Sequence, residues 1–99
     1  MNLRDALDQA FADLEEVEQA EARDGVEWRR GGRPFAALAG DAAEFRLDPM
    51  VAMAALRTPD TAASERGTDW VRFSPATVDG HAVDRAQAWL ASAWRRAGS

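Results

Sequence analysis

The fold of this chain is decided by residues 24–49, DGVEWRRGGRPFAALAGDAAEFRLDP. Three two-residue turn signals, Asp24-Gly25, Gly31-Gly32 and Gly40-Asp41, separate short runs of residues. Both central residues of a type I′ hairpin turn need positive φ, which Gly and Asp accept more readily than other residues. The stretch therefore predicts consecutive antiparallel strands joined by tight turns.

Within these runs, apolar and charged side chains alternate. One face carries Val26 and Trp28 with Arg30, then Phe35, Ala37 and Ala39, and later Ala43, Phe45 and Leu47. Glu27, Arg29, Glu44 and Arg46 fall on the opposite face. Alternation with a period of two is typical of a sheet with one buried face. A short strand over residues 18–23 begins this meander, and Pro34 is expected at a strand start or where no ladder bond is donated.

Three helices are predicted around the meander. Leu3, Leu7, Phe11 and Leu14 have helical spacing, and Asn2 is a suitable N-cap for a helix that ends near Glu16. Asp48 and Pro49 have the residue types of an N-cap and a first helical position, so a second helix runs from Pro49 to Leu56. A third is expected from about Asp79 to Ala97, with Arg95 and Arg96 at its negative end.

Between the second and third helices, only one strand is predicted. Residues 58–68 show no periodicity and are interpreted as a long loop. In the strand that begins at Trp70, Val71 and Phe73 share one face, and Trp70 and Arg72 share the other. The expected architecture is one α+β domain over residues 1–99, in the order α-β-β-β-β-α-β-α. Its antiparallel meander is packed on one face by the N- and C-terminal helices.

Composition excludes several kinds of chemistry. The 99 residues include no cysteine, so thiolate catalysis, disulfides and cysteine-bound metals are absent, as is usual in the cytoplasm. The single histidine, His81, cannot form a multi-histidine metal site. The sequence offers no apolar run long enough to span a bilayer, so we expect no membrane association. The net charge of −5 arises in residues 1–22, which hold one arginine against seven acids.

Several short motifs lie at the junctions of the predicted elements: Leu14, Val17-Glu18, Gly32-Arg33-Pro34-Phe35-Ala36, Leu47-Asp48-Pro49, Asp69-Trp70-Val71 and Ser92-Ala93-Trp94. In these motifs and their order, the chain resembles the MmcQ/YjbR family of small bacterial α+β proteins. The resemblance implies a fold similar to the double-wing arrangement of some DNA-binding domains, and with it a nucleic-acid role. The TfoX N-terminal group, which has a similar small architecture, is the second family that the chain resembles.

No catalytic or metal-binding constellation emerges from the residues. His81 could act as a base with Asp84 three residues on, but no serine lies in a nucleophile elbow, so a solvated helix-start histidine is predicted. Glu15, Glu16, Glu18 and Glu21 lack the spacing of a calcium loop and are interpreted as an exposed charged edge. We therefore expect no enzyme activity, no metal and no cofactor.

The best candidate for binding is a surface of arginines and one tryptophan. Arg29, Arg30 and Arg33 surround the second hairpin, and Trp70 and Arg72 lie on the outer sheet face. Guanidinium groups bind phosphates and aromatic rings stack on bases, although nearby Asp24, Glu27 and Glu44 dilute the charge. Trp70 is exposed, covered by residues 58–68, or part of a dimer contact.

The predicted function is a small cytoplasmic binding module without an active site. Its expected partner is an unknown protein or a second copy of the chain. The alternative is a double-wing DNA-binding protein that uses the arginine-bearing hairpin, which the net charge disfavours.

Overall fold

Three helices and six strands make up the part of the chain that this computed structural model describes, residues 2–22 and 25–99. In chain order they are α1 (Leu3–Phe11), β1 (Glu18–Ala22), β2 (Gly25–Arg30), β3 (Arg33–Ala39), β4 (Ala42–Arg46), α2 (Pro49–Ala55), β5 (Thr61–Ala63), β6 (Trp70–Phe73) and α3 (Gly80–Ala97). The predicted α+β class is confirmed. None of the described helices is both long and apolar enough to cross a membrane.

All six strands form one antiparallel sheet in the order β1-β2-β3-β4-β6-β5. Gly31 and Gly32 have φ values of 58° and 77°, as the predicted type I′ turn requires, and Gly40 has a φ of 59°. Of the predicted Asp24-Gly25 turn, Asp24 lies outside the described residues. Gly25 pairs with Ala22 as the first residue of β2 and has no positive φ, so its predicted turn role is wrong.

Strand β5 is the element that the sequence did not predict. Thr61–Ala63 pairs with β6 and forms one edge of the sheet, where a loop was expected. The Thr61 hydroxyl, which has one proton to donate, lies within hydrogen-bond distance of the main-chain oxygens of Ala55 and Thr58, at 2.8 and 2.7 Å, which holds the strand against the end of α2. Three residues are too few to show an alternating pattern, and the strand exists because β6 offers its free edge.

Helix α1 is shorter than predicted. Asn2 caps its start, accepting a bond from the Asp5 amide at 2.8 Å, but the helix ends at Phe11 and not near Glu16. Residues 12–17 reverse the chain toward β1, and Glu16 has a left-handed φ of 59°. The Phe11 ring lies 4.7 Å from the Trp28 ring, which fixes the last turn of the helix on the sheet.

Helices α1 and α3 cover one face of the sheet, as predicted. Fully buried side chains fill the space between them and the sheet: Leu7, Trp28, Phe35, Phe45, Leu47, Val71, Phe73 and Leu90. Trp28 is confirmed as a core residue, whereas Trp89 and Trp94 are half-buried at its margin. Asp48 caps α2 as predicted, accepting from the Met50 amide, and Asp79 caps α3 by accepting from the Ala82 amide.

Candidate functional site

Glu27, Ala37, Glu44 and Arg72 form one row across four strands. They are successive cross-strand partners on β2, β3, β4 and β6. Directly opposed residues of an antiparallel pair point to the same side of a sheet. The row therefore lies on the face opposite α1 and α3, called here the outer face.

The prediction that Ala37 and Ala39 share the buried face with Phe35 is wrong. A register irregularity between Trp28 and Arg29 breaks the alternation along β3 after Phe35. Ala36 and Leu38 therefore lie opposite Trp28 and Val26 on the buried face.

Four side chains on this face make a connected set, the outer-face network of Glu27, Glu44, Ser64 and Arg66. Arg66 donates from Nη1 to Oε1 of Glu27 at 3.0 Å and from Nε to Oε1 of Glu44 at 3.3 Å. The Ser64 hydroxyl donates to Oε2 of Glu44 and accepts from the Arg66 amide. Glu44 is 6% exposed, so this carboxylate depends on its partners for compensation of its charge.

Glu27 and Asp69 are carboxyl groups whose pKa values are lowered by arginine. Partial burial alone raises the pKa of Glu27, but hydrogen bonds and charge from Arg29 and Arg66 outweigh it and lower that pKa. Burial likewise raises the pKa of Asp69, and hydrogen bonds from Arg96 and Arg46 reverse its effect. Both carboxylates are therefore ionised at neutral pH and paired with arginine.

These pKa values predict loss of stability in acid. A carboxyl group whose pKa is lower in the folded than in the unfolded chain stabilises the fold above its unfolded pKa, which is about 4. That contribution disappears as the pH falls through the folded pKa. We expect the melting temperature to drop as the pH is lowered from about 5 toward 3. Glu27→Gln should flatten this dependence, and an equally steep curve in that variant would contradict the assignment.

Trp70 is buried and not available for stacking on a base. Its side chain is 7% exposed, and the Arg66 guanidinium lies 5.2 Å from the centre of its ring. Of the three alternatives for Trp70, coverage by residues 58–68 is the one observed. Trp70 is therefore not an exposed neighbour of Arg72, because Arg66 from the segment after β5 lies over its ring.

Arg72 remains exposed beside a depression of about 490 Å³ on the outer face. Small residues form part of its lining, Ala22, Gly25 and Ala39 among them, and Arg66 and Arg72 line it as well. Arg29 also lies on this face, but its Nε donates to Oε2 of Glu27 at 2.7 Å. Small residues thus form part of the floor of the depression, and the charged outer-face network borders it.

Arg30 is bound within the fold. Its guanidinium lies 3.9 Å from the centre of the Trp94 ring, and Nη1 donates to the Trp94 carbonyl at 3.0 Å. Glu16 approaches its Nη2 to 3.6 Å. Alternation along β2 sends Arg30 to the helix side, where it caps the end of α3. The predicted single surface of Arg29, Arg30, Arg33, Trp70 and Arg72 is therefore divided between two parts of the molecule.

Arg33 lies in a second group of arginines that the sequence did not bring together. Arg33, Arg46 and Arg96 line a cavity of about 160 Å³ with Phe35, Ala93 and Ala97, called here the arginine pocket. Oδ2 of Asp69 accepts from Nε of Arg46 at 3.0 Å and from Nη1 of Arg96 at 2.8 Å. The pocket joins β3, β4 and α3, so no local sequence pattern could reveal it.

Helix α2 exposes three large apolar side chains. Met50, Met53 and Leu56 are 75%, 59% and 42% exposed, and they form what we call the α2 stripe. Residues three apart lie on neighbouring positions of one helix face. The sequence predicts these residues on a helix but not their exposure. They are exposed because α2 packs against the rest of the protein through Ala52 and Ala55, its two buried residues.

The predicted histidine and the acidic residues after α1 do not come together in one site. His81 is exposed in the first turn of α3, and Glu15, Glu16, Glu18 and Glu21 are exposed as well. Across residues 2–22 and 25–99, no three carboxylate or imidazole groups are placed to hold a metal ion together.

Comparison with known proteins identifies the fold. No family model matches the sequence, and no curated protein matches it. A crystal structure of a protein from Pseudomonas syringae, a target of the Northeast Structural Genomics Consortium, is similar with a TM-score of 0.69 and 11% identity. The match covers 98% of this chain and 99% of that one, so the two share an α+β fold throughout.

Proposed function

We propose that this chain is a cytoplasmic binding module that acts by associating with another protein chain and not by catalysis. The observation that carries the proposal is the α2 stripe, because Met50, Met53 and Leu56 expose apolar surface side by side. Contiguous exposed apolar side chains mark interaction sites, and methionine adapts its shape to the partner that covers it. The polar groups of the outer-face network, in contrast, already bind each other.

A second copy of the chain is the partner whose chemistry fits α2. Asp48 caps the N-terminus of the helix, and Arg57 follows its C-terminus; both are exposed. If two α2 helices pack antiparallel about a two-fold axis, each Asp48 lies near the other copy's Arg57, and the two stripes meet. Such an interface is small, so we expect a weak dimer in rapid exchange.

Sedimentation equilibrium tests this association. We expect the average mass to rise toward that of a dimer between about 0.01 and 1 mM chain. Met53→Glu places a charge in the centre of the stripe and should keep the chain monomeric. Ala88→Glu is the matched control, since it adds the same charge at an exposed position of α3. A wild-type chain that remains monomeric throughout, or a dimer that tolerates Met53→Glu, would contradict the proposal.

Duplex DNA is the second candidate partner, which the family resemblance suggests and one observation favours. Arginines gather around the end of α3 and form what we call the basic end: Arg30, Arg33, Arg46, Arg95 and Arg96. Two carboxylates, Glu16 and Asp69, pair with members of this group. The excess of positive charge could contact about three phosphates.

Fluorescence anisotropy with a labelled duplex tests this candidate. Three phosphate contacts predict an affinity about 40-fold lower at about 200 mM salt than at about 50 mM. Arg95→Gln should weaken binding. Arg57→Gln should leave binding unchanged, because Arg57 follows α2 and is not part of the basic end. Arg30 is unsuitable for this test, since its removal would uncap α3. No binding at the lower salt would exclude the candidate.

A further inference from the structure

The arginine pocket contains more positive charge than its carboxylate neutralises. Arg33, Arg46 and Arg96 line it, and Asp69 is the one side-chain carboxylate of the described residues within ion-pair distance of these arginines. The side chains therefore leave an excess of two positive charges around a cavity of about 160 Å³.

Asp69 holds two of the guanidinium groups in place. Its Oδ2 accepts one bond from Arg46 on β4 and one from Arg96 on α3. A guanidinium has five N–H donors in a fixed plane, so each of these arginines keeps further donors after pairing with Asp69. Because one carboxylate fixes both groups before any ligand arrives, little side-chain entropy remains to be lost on binding.

We infer that the arginine pocket binds the terminal phosphate group of a small phosphomonoester. Such a group carries about −1.5 to −2 charges at neutral pH, which matches the excess of two positive charges. Its oxygens suit the paired N–H donors of arginine. The cavity is smaller than the roughly 300 to 1,000 Å³ of a site for a whole ligand, so it admits the phosphate and leaves the rest of the molecule outside.

The apolar part of the lining strengthens this recognition. Phe35 and Ala93 are fully buried and form part of the pocket wall, and attraction between charges is stronger beside such low-dielectric surface than in water. The carbonyl groups at the end of α3 repel an anion. Arg30 bonds the Trp94 carbonyl, and Arg33 donates from Nη1 to the Ser99 main-chain oxygen at 3.1 Å, which reduces that repulsion.

Nuclear magnetic resonance of the arginine Nε–H groups tests the inference on the whole chain. Phenyl phosphate is titrated at constant ionic strength, with sodium chloride as the blank and a short DNA duplex as a second arm. We expect saturable shifts at Arg33, Arg46 and Arg96. Arg33→Gln should weaken phenyl phosphate binding about tenfold, as expected for loss of a charged hydrogen bond. Arg95→Gln, one position before Arg96, should bind as the wild type does.

Three outcomes would overturn the inference. Phenyl phosphate could shift these groups no more than sodium chloride does, or Arg95→Gln could lose as much affinity as Arg33→Gln. A duplex that binds through Arg33 while phenyl phosphate does not would assign the group to a phosphodiester backbone. If a variant fails to fold, the chemical-shift changes of the arginine Nε–H groups in the wild-type chain still show whether phenyl phosphate binds at the arginine pocket. Neither stripe residues nor dimerisation enter this test, so it is independent of the proposed self-association.

Discussion

Arg66→Leu is expected to lower the free energy of unfolding by about 3 kcal/mol, because it leaves a buried carboxylate without its cation. Glu44 is 6% exposed and would keep only the Ser64 hydroxyl as a partner, and Glu27 would keep only Arg29. Leucine preserves apolar contact with Trp70 while removing the charge. This loss is at the lower end of the roughly 3 to 5 kcal/mol expected for breaking a buried ion pair, because the Arg66 side chain is 30% exposed.

Chemical denaturation of four chains measures this effect as a double-mutant cycle. The wild type, Arg66→Leu, Glu44→Gln and the double variant are compared. Glutamine keeps the size of Glu44 and can still accept from Ser64, so the double variant should be more stable than the sum of the single losses predicts. Additive losses would show that the loss in Arg66→Leu does not come from its pairing with Glu44, which would contradict this assignment.

This network shows where sequence reasoning ends. Alternation along β4 and β6 correctly assigns Glu44 and Arg72 to the outer face, because side-chain direction follows from local backbone geometry. The same pattern predicts a solvated Glu44. It becomes buried because Ser64 and Arg66, some twenty positions later in the chain, fold over it. A segment without periodicity gives no local signal of which face it will cover.

The arginines follow the same rule. Arg29, Arg30 and Arg33 are close in sequence, yet Arg29 pairs with Glu27, Arg30 stacks on Trp94, and Arg33 lines a pocket with Arg96. Alternation would have separated Arg29 from Arg30, but it does not identify Trp94 or Arg96 as the partners. Those partners depend on where the end of α3 meets the β2–β3 turn. The sequence thus predicts the β1–β4 meander and the faces of β2 and β4, but not the faces of Ala37 and Ala39 or the strand β5, and tertiary packing determines the sites.

Gly25→Ala is expected to destabilise the chain by about 2 to 3 kcal/mol, as overpacking of a rigid site does. A Cβ atom at this position would overlap the carbonyl oxygen of Leu38 and lie 2.9 Å from its carbonyl carbon. Both are main-chain atoms of β3, so no side-chain rotation relieves the contact. Strands β2 and β3 would have to separate where Gly25 faces Ala39.

Gly80→Ala is the matched control for this effect. Gly80 is the first residue of α3, has no positive φ, and has open space where the methyl group of alanine would lie. Alanine there should be neutral or stabilise the chain by up to about 1 kcal/mol, because it restricts the unfolded state. Urea denaturation of both variants makes the comparison. If the two variants had the same free energy of unfolding, neither packing nor the β2–β3 register would require glycine at the start of β2, which would contradict the prediction.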